Sequence, residues 1–115
     1  MATIKQFEDI EAWKEARQLS IDVYIALKSS KDFSFNDQLK RASVSIMNNI
    51  AEGFERQTDK EFKQFLYIAK GSAAEVRSMI TLGEDLGYFT HDQSQKLIEQ
   101  SRKISAMLSG FIKVL

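Results

Sequence analysis

Residues 41–56 read RASVSIMNNIAEGFER, and they gather much of the side-chain chemistry of the chain. Arg41, Asn48, Asn49 and Glu52 stand inside an otherwise apolar helical rhythm, with Gly53 beside them. A carboxylate near amides and a guanidinium could bind a ligand or act as a base, provided a cleft and a proton partner accompany it. The chain holds one histidine, His91, at a predicted helix start, where a solvated first-turn residue is expected. A di-iron bundle needs two Glu-x-x-His motifs on paired helices, so a single histidine excludes it. The small helical ribonucleases pair an arginine with a histidine a few residues on, and Arg77 is too far from His91 for that. No nucleophile elbow, phosphate-cradling glycine loop or zinc pair occurs. The expectation is a protein that is not an enzyme and needs no cofactor or metal.

The other reading of this stretch is mechanical. At helical spacing Ala42, Ile46, Asn49 and Gly53 form the core stripe, and Arg41, Ser45, Asn48 and Glu52 form a polar line beside it. Asn49 then takes a place an apolar residue would normally fill, and a buried amide penalises any packing that leaves it unpaired. Gly53 costs about 1 kcal/mol against alanine in a helix, which implies a close helix approach. The small cluster Ala69, Gly71, Ser72, Ala73 and Ala74 is the expected facing surface. Glu75 is expected to join Arg41 and Glu52 in a partly buried network. On this reading Arg41, Asn49, Glu52, Gly53, Gly71, Ser72 and Glu75 serve packing and assembly.

A second pattern is electrostatic. Arg56, Lys63, Lys70 and Arg77 recur every seven residues and share a face after the drift of about 20° per heptad, if Arg56 continues the helical path. Lys60 lies near and Tyr67 between. Such a line could track a phosphate backbone while the tyrosine stacks on a base. The plainer alternative is a solvated face with intrahelical ion pairs such as Asp59 with Lys63.

These groups need elements to hold them. Apolar residues make up 43% of 115 residues and charged ones 28%, and sixteen Lys plus Arg balance sixteen Asp plus Glu. That suits one globular domain and does not nominate nucleic acid by net charge. Cysteine and proline are absent and only five glycines occur, which suits a reducing compartment and disfavours a turn-rich β fold. No run approaches the roughly 20 apolar residues of a membrane span, and the N-terminus lacks the pattern of a signal peptide. A cytoplasmic protein without membrane contact is expected.

Apolar residues recur at steps of three and four over about 9–29, 36–56, 59–86 and 91–114, the period of amphipathic helices. Asn36 is the expected N-cap of the second. Thr58 with Glu61, and Thr90 with Gln93, read as capping boxes, and Gly87 as a left-handed C-cap. Short connections predict antiparallel neighbours. The fold class is all-α, an antiparallel up-down-up-down four-helix bundle over 1–115. Leu66, Ala73 and Ile80, with Ile21 and Ile25, form second apolar lines that either widen the core or pack between subunits.

FEDIEAWKEA at 7–16, QLKRASVSIMNNIAEGFER at 38–56, EFKQFLYIAKGSAAEV at 61–76 and LGYF at 86–89 carry a resemblance that spans nearly the whole chain. Together they resemble the 23S rRNA intervening-sequence proteins, and the chain is also similar to the accessory protein of diversity-generating retroelements. Met47 stands where that family commonly has proline, which suggests a straighter second helix. The resemblance implies a homopentamer around a central channel and association with RNA or other nucleic acid. The leading expectation is a ring-forming accessory protein that touches nucleic acid through Arg56, Lys60, Lys63, Tyr67, Lys70 and Arg77. A protein-binding scaffold without nucleic-acid contact is the alternative.

Overall fold

Each predicted segment corresponds to one helix, although α2 starts three residues before its predicted segment. In a computed structural model, which describes residues 4–115, the regular elements are α1 (Glu11–Ala26), α2 (Phe33–Phe54), α3 (Asp59–Asp85) and α4 (His91–Lys113), preceded by a 3-10 turn at Phe7–Asp9. No strand occurs among the described residues. Neighbours in sequence are neighbours in space: α2 packs on α1 and α3, and α4 packs on α3 and α1. The result is a four-helix bundle measuring 43 × 22 × 19 Å. At 1.5 Å per residue α3 alone is about 40 Å long, so it runs the length of the molecule.

Several helix ends differ from the sequence expectation, each for a local reason. The first helix begins at Glu11 rather than 9, because 7–9 close a tight turn that brings the Phe7 and Trp13 rings to 5.2 Å. It ends at Ala26 rather than 29, and the chain turns through Lys28 N–H to Ile25 O and Ser30 N–H to Leu27 O. The N-cap of α2 is Asp32, whose carboxylate accepts from Phe35 N–H at 3.1 Å, and not Asn36. Asn36 lies one turn inside α2, where its Nδ2 donates to Ser30 O at 3.0 Å and ties the connection down. α2 ends at Phe54, two residues early.

The expected caps of α3 and α4 are present. Thr58 accepts from Glu61 N–H, although its hydroxyl donates to the Glu61 carboxylate, so the box is not reciprocal. Thr90 and Gln93 make the full reciprocal box. Gly87 has φ 78°, and Tyr88 N–H reaches Gly83 O at 2.8 Å while Gly87 N–H reaches Glu84 O at 3.0 Å. That pair of bonds satisfies two orphan carbonyls of α3 in a Schellman motif.

The core is built from Leu19, Leu39, Ile46, Ile50, Leu66, Ile80, Ile104 and Leu108, all fully buried. Leu66, Ala73 and Ile80 lie wholly inside it, so this second line of α3 widens the intramolecular core. The corresponding line of α1 goes the other way, since Ile21 and Ile25 are exposed. Trp13 is only half-buried, with Ala12 and Leu19 taking the inner positions, and Leu86 is exposed. Gly83 gives the bundle end its density. A Cβ there would stand 2.5 Å from the Phe89 ring and 3.0 Å from Phe35.

Candidate nucleic-acid interface and assembly surfaces

α3 carries most of the predicted basic line. Lys63, Lys70 and Arg77 are half-buried along one edge, Lys60 is exposed in the first turn, and Tyr67 projects more than half exposed beside them. None of these four cations makes an ion pair among the described residues, and Asp59 does not pair with Lys63. The charges are therefore not neutralised by neighbours on the helix. Arg56 departs from expectation. With α2 ending at Phe54 it belongs to the connection rather than to a continuous helical path, and it pairs with Glu52 at 3.3 Å. Its guanidinium also lies 4.7 Å from the Phe65 ring centroid, a cation–π geometry.

The cations of α4 escaped the sequence argument. Arg102 and Lys113 of α4 are exposed and free of ion pairs among the described residues. Gln100 donates to Asp22 of α1 at 2.7 Å. Arg102, about 200° further round α4, therefore lies on the edge nearer α3. The signal was present in the spacing: eleven residues make three turns, so Arg102 and Lys113 repeat on one line.

The 41–56 stretch is divided by the fold. Gly53 is buried, and a Cβ there would come within 2.6 Å of Phe65 Cβ and 3.0 Å of Phe62. Its close approach is to these phenylalanines, not to the small cluster at 69–74. Ser72 meets α2 elsewhere, with its hydroxyl 2.9 Å from that of Ser45. Asn49 is half-buried instead of core. Its amide donates to Ser45 O at 2.8 Å and to Ser45 Oγ at 3.0 Å. The stripe passes through Ile50, because a step of four from Ile46 stays closer to the inner face than a step of three.

Arg41, Glu52 and Glu75 do not meet within one chain. Arg41 pairs with Asp37 at 2.8 Å, Glu52 pairs with Arg56, and Glu75 is exposed without a partner among the described residues. Gly71 is exposed, and a Cβ on it would touch nothing within 4 Å.

The groups whose titration is shifted lie around the α3–α4 connection, with Asp32 reaching it from the connection between α1 and α2. His91 Nδ1 and the Glu84 carboxylate are 3.0 Å apart. The hydrogen bond to Glu84 raises the imidazole above its ordinary value and lowers the carboxyl below its own. Tyr88 donates to Asp32 at 2.6 Å, which lowers the Asp32 carboxyl and raises the phenol. These are two-residue contacts at separate places, with no nucleophile aligned to either. No group of three or more potential metal ligands occurs among the described residues, and none of the described helices is long and apolar enough to cross a membrane.

Four helices around one core, with a cationic edge and a glycine-notched α2–α3 seam, define a small four-helix-bundle protein. The sequence profile of the 23S rRNA-intervening sequence proteins matches residues 8–110, and the chain belongs to that family. Among solved structures it is similar to a protein of unknown function from the S23 ribosomal protein family of Bacteroides thetaiotaomicron. The two share 25% identity over 89% of this chain and 98% of that one, with a TM-score of 0.83. No curated protein matches the chain.

Proposed function

We propose that this protein is a non-enzymatic accessory factor that binds RNA or another nucleic acid along α3, working as a ring-shaped homo-oligomer, a pentamer, in the cytoplasm. The observation that carries the reading is the row Lys60, Lys63, Lys70 and Arg77, which make no ion pair among the described residues and flank the exposed Tyr67. Unpaired cations spaced along a rod follow a phosphate backbone, and a tyrosine among them offers a stacking face to an unpaired base. The helices alternate in direction, up-down-up-down. This arrangement is supported by the short connections and by the Asp32–Tyr88 bond, which joins the first connection to the third.

The ring is supported by the outer face of α3. Ile68 and Leu82 are exposed there around Gly71, whose conformational cost is repaid by no contact inside the chain. A neighbouring subunit packed on that face would supply the missing contact. Glu75 on α3 and Arg41 on α2 then act between subunits, and symmetry repeats the cationic edge around the assembly although each chain is neutral. The resemblance to the accessory protein of diversity-generating retroelements implies the same plan.

The test is binding of structured RNA and of single-stranded DNA at two salt concentrations, beside a variant with Lys63, Lys70 and Arg77 changed to glutamine. The expected result is binding that weakens steeply with salt and is lost in the variant. Binding absent at low salt would overturn it. Sedimentation of the wild type beside Leu82→Glu tests the ring separately. The alternative, a protein-binding scaffold without nucleic-acid contact, is favoured by a different observation: the open apolar seam between α1 and α2.

A further inference from the structure

That seam has features which neither the cationic edge nor the outer face of α3 uses. Two hollows run along it, of 350 and 560 Å³, and a third of 430 Å³ continues from Tyr24 over the outer face of α2, so that Tyr24 lines all three. The first is almost wholly apolar, walled by Ile21, Ile25 and Met47. The second ends at Phe33, which is 76% exposed although it opens a helix of the core. Side chains this apolar are ordinarily left in water singly, and here Ile21, Tyr24, Ile25 and Phe33 are grouped along one groove.

Charge decides what can fill it. Arg17 lines the first hollow and Lys28 and Lys40 the second. None of the three has a carboxylate partner among the described residues; the Arg17 guanidinium lies 6.0 Å from the Trp13 ring centroid, and Lys40 4.9 Å from the Tyr24 ring centroid. The one acid on the wall of these hollows, Asp37, is already paired with Arg41 at 2.8 Å. The groove therefore presents an apolar floor with uncompensated positive charge at both ends and in the middle. A nucleic-acid backbone would leave the floor unfilled. A bilayer surface is too flat to follow a concave seam. From residue 17 to residue 28 the groove spans about 17 Å at 1.5 Å per residue, which suits three turns of a helix.

We propose that the α1–α2 groove is a docking site for an acidic amphipathic helix of a partner protein. Its aliphatic side chains enter the hollows on either side of Tyr24, and its carboxylates meet Arg17, Lys28 and Lys40. This is the helix-in-groove mode of recognition, in which anchors at i, i+3/i+4 and i+7 supply affinity and flanking charges supply selectivity.

The experiment uses the intact protein and a fluorescein-labelled helical peptide of about four turns, with leucines on one face and glutamates on the others. The same peptide with lysine for every glutamate is the control. Fluorescence anisotropy should show saturable binding of the glutamate peptide, weakened roughly tenfold or more by K28E/K40E and by Ile25→Ser. The lysine peptide should bind weakly to the wild type and better to K28E/K40E. Helical circular dichroism confirms that each variant is folded. Equal binding of both peptides, or no effect of K28E/K40E, overturns the proposal. So does a loss of oligomer in Ile25→Ser, which would make a second copy of the chain the occupant. Sedimentation with phosphatidylglycerol vesicles that depends on Phe33 would do the same in favour of a membrane.

Discussion

The two faces of α2 are packed on opposite plans. Toward α3 the seam is closed: Gly53 admits the Phe62 and Phe65 side chains to near contact, and Ser45 and Ser72 share a hydrogen bond. Toward α1 it is open, with Tyr24, Ile25 and Phe33 standing over hollows rather than inside a core. The same helix supplies both. The difference is clearest at Gly53, where the missing side chain lets Phe62 and Phe65 of α3 come up against the α2 backbone and fill the seam. A closed seam is a stability device, and an open one leaves apolar area available for another molecule.

Substitutions can sharpen or break that contrast. The largest effect is expected from Gly53→Ala. A new Cβ would meet Phe65 Cβ, which cannot swing away, and the overpacking should cost about 1–3 kcal/mol in urea unfolding. A neutral result would mean the closed seam is looser than its geometry. Next is Ser72→Ala, which removes the hydroxyl pair across the seam while Ser45 Oγ keeps its Asn49 donor, and it should cost about 0.5–1.5 kcal/mol. Gly71→Ala lies on the exposed side of α3, where a Cβ meets nothing, and should gain about 0.5–1 kcal/mol in folding stability. If the outer face of α3 is a subunit contact, the same change should weaken assembly while the isolated fold becomes firmer. On the open seam Ile25→Ser should shift unfolding by no more than about 0.5 kcal/mol, because the side chain is already 60% exposed.

The smallest effect is pH-dependent. His91 is raised above 6.5 and Glu84 lowered below 4.5 by their mutual bond. The imidazole contribution is complete below 6.5 and disappears as pH rises through its folded value. The carboxylate contribution is complete above 4.5 and disappears as pH falls through its folded value. Wild type should therefore exceed His91→Gln in melting temperature most between those two values, with the gap narrowing by pH 8.

The four helices were legible because a period of three and four repeats over each segment and because Thr58, Thr90 and Gly87 punctuate them. Asn36 was misread as a cap because the helix starts earlier, on Phe33, an aromatic residue that faces water and so leaves no periodic trace. Asn49 was misplaced because a step of three and a step of four from Ile46 are equally good patterns in sequence, and only the facing helix chooses Ile50. The cations of α3 were visible by spacing. Their freedom from ion pairs was not, since Asp59 and Lys63 have the right separation and do not meet. The open groove left the faintest signal, because an exposed isoleucine on a wide apolar stripe looks the same as a core residue until its neighbour helix is placed.

The Asp32–Tyr88 bond has a mechanical consequence. It links the connection between α1 and α2 to the one between α3 and α4, and Phe35 packs its ring against Tyr88 at 5.1 Å in the same place. Gly83 adds Phe89 to that knot. Two helical hairpins are thus buckled together at one end. Hydrogen exchange should be slower in the helix turns beside that end than in those at the opposite end, where the two chain termini lie, so that the protein opens like tongs, from the tips toward the hinge.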